Sequence, residues 1–278
     1  MTKRLFISGL MLAALLAGCG NDNSVAPALD DAMLDGSVFQ RPEFIDTRPV
    51  DVQRQFTLTA DDVAQLPPVL DKAGKYALVI GISDYEGTVN DLTYCDEDAD
   101  DWIARLVTEG YQVTSLIDMA ATRAAIETAV ANLAAQSVAG NEIAFAYSGH
   151  GSKGNMISAD LTYVSKEWFG GMFAGVASTK MMFTFDACQI GEFTLTLAGP
   201  GRVVTVASDR RRYSYDGDAT MANGVFTYYQ MLGFDQQGFI FVEDDSDYAI
   251  EQFFIWAAAH RVKVAPSYTD TYVGDMDL

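Results

Sequence analysis

Apolar residues in this chain form short continuous runs, separated by segments in which apolar positions recur at helical spacing. The runs at residues 76–82, 142–147, 180–185 and 202–207 are typical of buried strands, and residues 111–117 alternate as a strand does. Helical spacing predicts helices at 99–107, 122–133 and 166–174, the second capped by Thr122. Because strands alternate with helices, the pattern predicts an α/β fold: a mostly parallel sheet flanked by helices on both faces.

The C-terminal part of the chain continues the pattern less regularly. A polar loop with three consecutive arginines, Arg210 to Arg212, is followed by a predicted helix at 224–232, a strand at 239–242 and a helix at 248–261. The acidic run from Asp244 to Asp247 precedes the last helix, where it would cap the helix and complement its dipole. We assign residues 73–278 to one domain, which is long enough to bury a substantial core.

The N-terminal residues have the pattern of an export signal. Lys3 and Arg4 precede an apolar run over 5–17 that is too short to span a membrane. The sequence 16–19, Leu-Ala-Gly-Cys, resembles the lipobox of bacterial lipoproteins, which implies a signal peptide at 1–18 and acylation of Cys19. Residues 19–72 are then a lipid-anchored tether or loosely packed lead-in, and the protein is expected on a bacterial membrane, the outer one if the organism has two.

The chain is strongly acidic, with a formal net charge of −20 from 18 Lys and Arg against 38 Asp and Glu. A surface of this sign repels nucleic-acid phosphates, so nucleic acid is not expected as a partner. Besides Cys19 the chain has two cysteines, Cys95 and Cys188. A disulfide between them would consume the Cys188 thiol, and we expect both to be reduced, with Cys95 buried and inert.

Two motifs combine residues that can carry out nucleophilic chemistry. Residues 147–151 (Tyr-Ser-Gly-His-Gly) and 186–191 (Asp-Ala-Cys-Gln-Ile-Gly) each follow a predicted strand, so both are expected at the carboxyl edge of the sheet. There His150 would act as the base for a Cys188 nucleophile. The chain's other histidine, His260, is expected at a helix end.

His150 and Cys188 can each also be explained without catalysis. A lone buried Cys usually fills a core, and a His between glycines is often a turn residue; the combination of both after strands favours catalysis. A zinc site is disfavoured because it would need three or four suitably spaced ligands.

Together the motifs resemble those of caspase-clan cysteine peptidases, with the closest likeness to the bacterial metacaspase-like members called orthocaspases. The similarity extends over residues 76–232 and includes Asp98-Ala99 and the sequence Asn-Gly-Val-Phe-Thr at 223–227, where Asn223 replaces a frequent His. The caspase signature Gln-Ala-Cys-x-Gly is not matched, because Asp186 stands before Ala187.

The resemblance implies a caspase-like fold and a cysteine endopeptidase that cuts after Arg or Lys through a thioester acyl-enzyme. By position, Asp186 and Asp98 correspond to acids of the first specificity pocket, and Ser148 to a pocket hydroxyl. The backbone N–H groups of Gly151 and Cys188 would hold the oxyanion. Without the resemblance, Asp186 is a cap or turn residue and Asp98 is a solvated acid.

Partners and cofactors follow from this interpretation. The expected partners are polypeptide substrates with basic residues, and no cofactor is required. Calcium activation stays open: residues 152–163 carry one acid, Asp160, and the Asp244 to Asp247 run lacks the glycine and spacing of an EF-hand loop. The alternative function is a catalytically inactive caspase-like binding or scaffold lipoprotein.

Overall fold

A six-stranded sheet forms the centre of the molecule in the computed structural model, which describes residues 35–50, 52 and 74–278. Its strands are β1 (Lys75–Gly81), β2 (Gln112–Ile117), β3 (Glu142–Ser148), β7 (Lys180–Asp186), β8 (Arg202–Val206) and β9 (Ser267–Asp270). Their order in the sheet is β2-β1-β3-β7-β8-β9. All neighbouring strands pair in parallel except β9, which pairs antiparallel to β8. The prediction of a mostly parallel α/β sheet is therefore confirmed.

Six α-helices pack around this sheet in the described part of the chain. They are α1 (Cys95–Thr108), α2 (Arg123–Gln136), α3 (Lys166–Met172), α4 (Phe193–Thr196), α5 (Val225–Leu232) and α6 (Val242–Ala259). Thr122 caps α2 as predicted, because its side chain accepts the Ala125 N–H at 3.3 Å. None of the described helices combines the length and the apolar character that crossing a membrane requires.

The central strands are buried on both faces, which is why their sequences are continuously apolar. Along β1, Leu78 and Ile80 enter a core shared with α2 and α3, whereas Ala77 and Val79 enter a second core shared with α1 and α5. This alternation is the two-residue period of a strand, applied to two apolar faces instead of one. A third cluster joins α5 to α6.

The structure corrects the predictions near the C-terminus and adds elements that they lacked. The predicted strand at 239–242 is wrong: Phe241 makes an isolated bridge to Asp277, and α6 begins at Val242. A four-residue apolar run does not distinguish a strand from the start of a helix. The sequence also did not predict β9 or the small antiparallel sheet of β4 (Gly151–Ser152), β5 (Asn155–Ile157) and β6 (Tyr163–Ser165).

Aromatic packing around Phe169 of α3 gives a test of the larger core. The Phe169 ring is buried and contacts five other rings, those of Phe145, Phe173, Phe183, Phe185 and Phe193. Phe169→Ala should lower the free energy of unfolding by about 3–5 kcal/mol, because it leaves a cavity that rigid neighbours cannot fill. Leu195→Ala, at a position that is 73% exposed, is the matched control and should change it by less than about 0.5 kcal/mol in chemical denaturation. Equal losses of unfolding free energy for the two variants would contradict the assignment of Phe169 to the core.

Candidate active site

The two motifs lie side by side at the carboxyl edge of the sheet. Strands β3 and β7 are neighbours, and their register pairs Ser148 with Asp186, so His150 and Cys188 each follow two residues after a paired position. The backbones remain close beyond the strands: the Gly149 N–H donates to the Asp186 carbonyl at 3.3 Å. A Cβ at Gly151 would overlap the Cys188 carbonyl oxygen, so this approach requires glycine.

His150 is held with one ring nitrogen engaged and the other available. Its Nε2 lies 2.8 Å from the Asn90 carbonyl oxygen. A carbonyl can only accept, so Nε2 carries the hydrogen and Nδ1 is the basic nitrogen. Among the described residues, the buried Nδ1 has no hydrogen-bond partner. Burial lowers the pKa of His150 to about 4, so at neutral pH the imidazole is uncharged and able to accept a proton.

Cys188 is a buried thiol in the same cleft, 2% exposed. Its Sγ accepts the Ser214 N–H at 3.3 Å. Burial raises the pKa of Cys188 to about 12, although the Ser214 N–H acts in the opposite direction. Both Cys188 and Cys95 are free, and Cys95 is buried, as predicted. At neutral pH the site therefore holds a neutral thiol and a neutral imidazole.

Three predicted substrate-binding residues meet in one buried pocket beside Cys188. Ser148 Oγ donates to Asp98 Oδ2 at 2.6 Å, and the Gly224 N–H donates to the other oxygen of Asp98 at 2.8 Å. Asp186 accepts from the Thr227 N–H at 3.1 Å, and from the Thr227 and Ser214 hydroxyls. Asp98 is 0% exposed, which rules out its interpretation as a solvated acid.

A third acid, Asp216, completes the pocket, and the chain's own Arg41 fills it. Arg41 Nη2 lies 3.1 Å from Asp98 Oδ2, Nη1 lies 3.3 Å from Asp186 Oδ1, and Nε lies 2.8 Å from Asp216 Oδ1. Nη1 also donates to the Asp186 carbonyl at 2.6 Å. The Arg41 side chain is 0% exposed. Each nitrogen of the guanidinium thus has an oxygen partner.

The charged groups in this pocket shift one another's pKa values. Burial lowers the pKa of the Arg41 guanidinium, but the nearby acids outweigh burial and raise that pKa well above its ordinary value. Burial, reinforced by the charge of Asp186, raises the pKa of Asp98 to about 7 in spite of Arg41. Burial also raises the pKa of Asp216. A pocket of buried carboxylates that are hard to keep ionised without a partner is suited to a cationic side chain.

The sequence of residues 74–266 matches the family described as Caspase domain (Peptidase_C14). The chain belongs to the caspase-domain family. Its caspase domain has a similar fold to the crystal structure of protein GSU0716 from Geobacter sulfurreducens, with a TM-score of 0.54 and 16% sequence identity. That similarity covers 73% of this chain and 95% of the other. No curated protein matches the sequence.

Three residues of the site, Asn90, Asp216 and Arg41, were not among those predicted from the sequence. Asn90 acts through its carbonyl, which no side-chain pattern reveals, and Asp216 lies in a polar loop with no motif around it. Arg41 lies in the segment expected to be a loose lead-in, yet it is 1% exposed. Two aromatic residues of the same segment also pack on the body, Phe39 on Trp256 and Phe44 on His150. The predicted lipidation site, Cys19, lies outside the described residues.

The protonation state of Cys188 can be tested by alkylation with iodoacetamide across a pH series. Only the thiolate reacts, and the thiol's pKa is raised to about 12, so the modification rate should rise about tenfold per pH unit from pH 7 to pH 9. Peptide mass spectrometry reports Cys188 separately from Cys95, and Cys188→Ala confirms the assignment. A rate that is already constant above pH 7 would show a thiolate–imidazolium pair and contradict the neutral pair.

Proposed function

We propose that this chain is a cysteine endopeptidase that cuts polypeptides after Arg or Lys through a thioester acyl-enzyme. The observation that carries the proposal is the arginine side chain held by Asp98, Asp186 and Asp216 next to Cys188. Membership in the caspase-domain family supports the type of chemistry, and the pocket supports the kind of substrate.

His150 and Cys188 have the central roles in the proposed reaction. Nδ1 of His150 takes the thiol proton as the sulfur attacks the carbonyl carbon after the basic residue. The backbone N–H groups of Gly151 and Cys188 face the oxyanion, in agreement with their position around a cavity of about 270 Å³. The amine leaves with the proton from His150, and water then hydrolyses the thioester. Asn90 keeps the ring in the tautomer that this transfer needs.

Specificity for a basic residue follows from the three acids and their geometry. Asp98 and Asp216 accept from different edges of the planar Arg41 guanidinium, and Asp186 lies within ion-pair distance of Nη1 and accepts from it through its backbone carbonyl. A lysine ammonium is a point charge and cannot reach three separated acceptors equally well. We therefore propose that Arg is preferred over Lys. An aspartate side chain would be repelled.

The cellular setting that we propose has three parts. Acylation of Cys19 would tether the domain to a bacterial membrane, the outer one if the organism has two, because Gly20 and not Asp follows the lipidated cysteine. The substrates would be polypeptides with accessible basic residues, and the net charge of −20 disfavours nucleic acid. Catalysis would need no cofactor, and calcium is included as a variable in the assay below.

Fluorogenic peptides ending in Arg, Lys or Asp test this function, each with and without calcium. Because Arg41 fills the pocket, the assay compares the full chain with Arg41→Ala. We expect Arg41→Ala to cleave the Arg peptide best, the Lys peptide less well and the Asp peptide not at all. Adding Cys188→Ala should abolish cleavage. If folded Arg41→Ala with a reduced thiol cleaved none of the peptides, the protein would be the inactive scaffold instead.

A steric variant tests whether the acidic pocket is the site that selects Arg. A Cβ at Gly224 would lie 2.6 Å from Asp186 Oδ2 and 2.8 Å from Asp98 Oδ2, in space that a bound guanidinium needs. Gly224→Ala in the Arg41→Ala chain should lower kcat/KM for the Arg peptide by about a hundredfold or more, equivalent to losing buried charged hydrogen bonds. Gly171→Ala, where a Cβ meets nothing within 4 Å, is the matched control and should leave kcat/KM unchanged. Similar values for both variants would contradict the pocket assignment.

A further inference from the structure

Residues 36–46 lie across the candidate active site, and contacts at their start fasten them to the domain. The Gly36 N–H donates to the His260 carbonyl at 2.6 Å. The Phe39 ring packs edge-on against Trp256 and His260, with centroids 6.0 and 5.6 Å apart. The segment is therefore docked on the C-terminal end of α6 before it reaches the cleft.

The segment then pairs with residues 214–216 as an added strand. Arg41 N–H donates to the Ser214 carbonyl at 3.2 Å, and Asp216 N–H donates to the Phe39 carbonyl at 2.8 Å. Gln40 and Tyr215 form the antiparallel bridge between these bonds. Pairing through the main chain, with one side chain in a pocket, is how extended peptides bind to exposed strand edges. Ser214 joins Arg41 to the nucleophile, because its own N–H donates to Cys188 Sγ.

Beyond Arg41 the segment covers the other side of the cleft. Glu43, Phe44 and Asp46 line the same cavity as Cys188 and Gly151. The Tyr213 hydroxyl donates to Glu43, and the Phe44 ring lies 6.0 Å from the His150 ring. The chain therefore passes from the acidic pocket, through Pro42, to the cavity that contains the nucleophile.

The segment also contacts the residue that orients the base. The Ile45 N–H donates to Asn90 Oδ1 at 2.9 Å, and the Asn90 amide donates back to the Ile45 carbonyl at 3.1 Å. Asn90 is the residue whose carbonyl holds Nε2 of His150. The segment is thus hydrogen-bonded on both sides of the catalytic pair.

We propose that residues 36–46 are a tethered substrate mimic, in which Arg41 occupies the specificity pocket and excludes other polypeptides until the segment leaves. The proposal rests on the proposed function for the identity of the excluded substrate. Covalent attachment keeps the effective concentration of Arg41 on the order of millimolar, so a peptide with modest affinity cannot displace it. The buried acids add to this hold, because releasing Arg41 leaves them without a cation.

Pro42 explains how a bound arginine escapes cleavage. For an ordinary residue 42, Sγ would bond to the Arg41 carbonyl carbon, the C–N bond would break, and the amine would leave with the proton that His150 took from the thiol. Water would then release the Arg41 carboxylate and restore the thiol. At a prolyl bond the nitrogen carries a ring carbon in place of hydrogen, so it is crowded and cannot turn freely toward the imidazole.

Peptide binding in a Cys188→Ala background tests the mimic without relying on turnover. The probe is a fluorescein-labelled peptide with the sequence of residues 38–41, Val-Phe-Gln-Arg, followed by polarisation. Arg41→Ala should bind it at least about tenfold more tightly than the chain that retains Arg41. Arg48→Ala is the matched control, since Arg48 pairs with Asp46 two residues away and lies outside the pocket; its affinity should stay within about threefold.

The outcomes separate this proposal from the proposed function. Tighter probe binding by Arg41→Ala in the Cys188→Ala background, with no peptide cleavage by Arg41→Ala when Cys188 is intact, would support the mimic and overturn the peptidase. Cleavage of Arg peptides at equal rates by the full chain and Arg41→Ala, with equal probe affinity, would overturn the mimic and support the peptidase.

If circular dichroism shows that Arg41→Ala does not fold, Phe39→Ala is used instead, because it weakens the docking of residues 36–46 and leaves the residues of the pocket unchanged. Phe39→Ala should also bind the probe more tightly, and an unchanged affinity would overturn the mimic.

The role of Pro42 has its own readout. Pro42→Ala with Cys188 intact should cut itself after Arg41, giving a fragment that begins at residue 42 in N-terminal sequencing. Pro42→Ala combined with Cys188→Ala should stay intact. An uncut Pro42→Ala chain, when Arg41→Ala cleaves Arg peptides, would overturn the protective role of the proline.

Discussion

The structure depends on a charge constraint: two buried carboxylates and a third, partly buried one share a pocket and need a cation among them. Asp98, Asp186 and Asp216 all lie within ion-pair distance of one guanidinium. Hydroxyl and N–H donors from Ser148, Thr227 and Gly224 satisfy part of their hydrogen-bonding capacity, but those donors carry no net charge. Carboxylates this close together are unfavourable without a cation, and in this structure Arg41 supplies it.

The sheet determines where that pocket lies relative to the chemistry. Parallel pairing of β3 and β7 brings Ser148 level with Asp186, and the same register delivers His150 and Cys188 two residues later. The acidic pocket and the His150–Cys188 pair thus arise from the same two strand ends. Residues 214–216 connect the acidic pocket to Cys188. Ser214 contacts both Arg41 and Cys188, and Asp216 contacts the Arg41 guanidinium.

Much of the fold and the centre of the site could be predicted from the sequence because they depend on local patterns. Continuous apolar runs identified the buried strands, and their ends located His150, Cys188, Ser148 and Asp186. Asp98 was found through family resemblance, since its acidic neighbours hide it. The prediction of a strand at 239–242 was wrong because four apolar residues carry too little periodicity to distinguish a strand from the start of a helix.

The occupied pocket could not be predicted because its contacts are distant in sequence. Arg41 is 57 residues from Asp98, 145 from Asp186 and 175 from Asp216. It lies in a polar segment without periodicity, which composition describes as a loose tether. Asp216 is equally inconspicuous, and the role of Asn90 rests on a backbone carbonyl that every residue possesses. Only the folded arrangement assigns these residues to one site.

The most direct test of the arginine pocket is calorimetric binding to Arg41→Ala in the Cys188→Ala background. The titration compares the peptide Val-Phe-Gln-Arg with the same peptide ending in citrulline, which keeps the shape of the side chain and removes its charge. We predict that the Arg peptide binds at least about a hundredfold more tightly, the effect expected for charge-assisted bonds in a buried site. Equal affinities would contradict it.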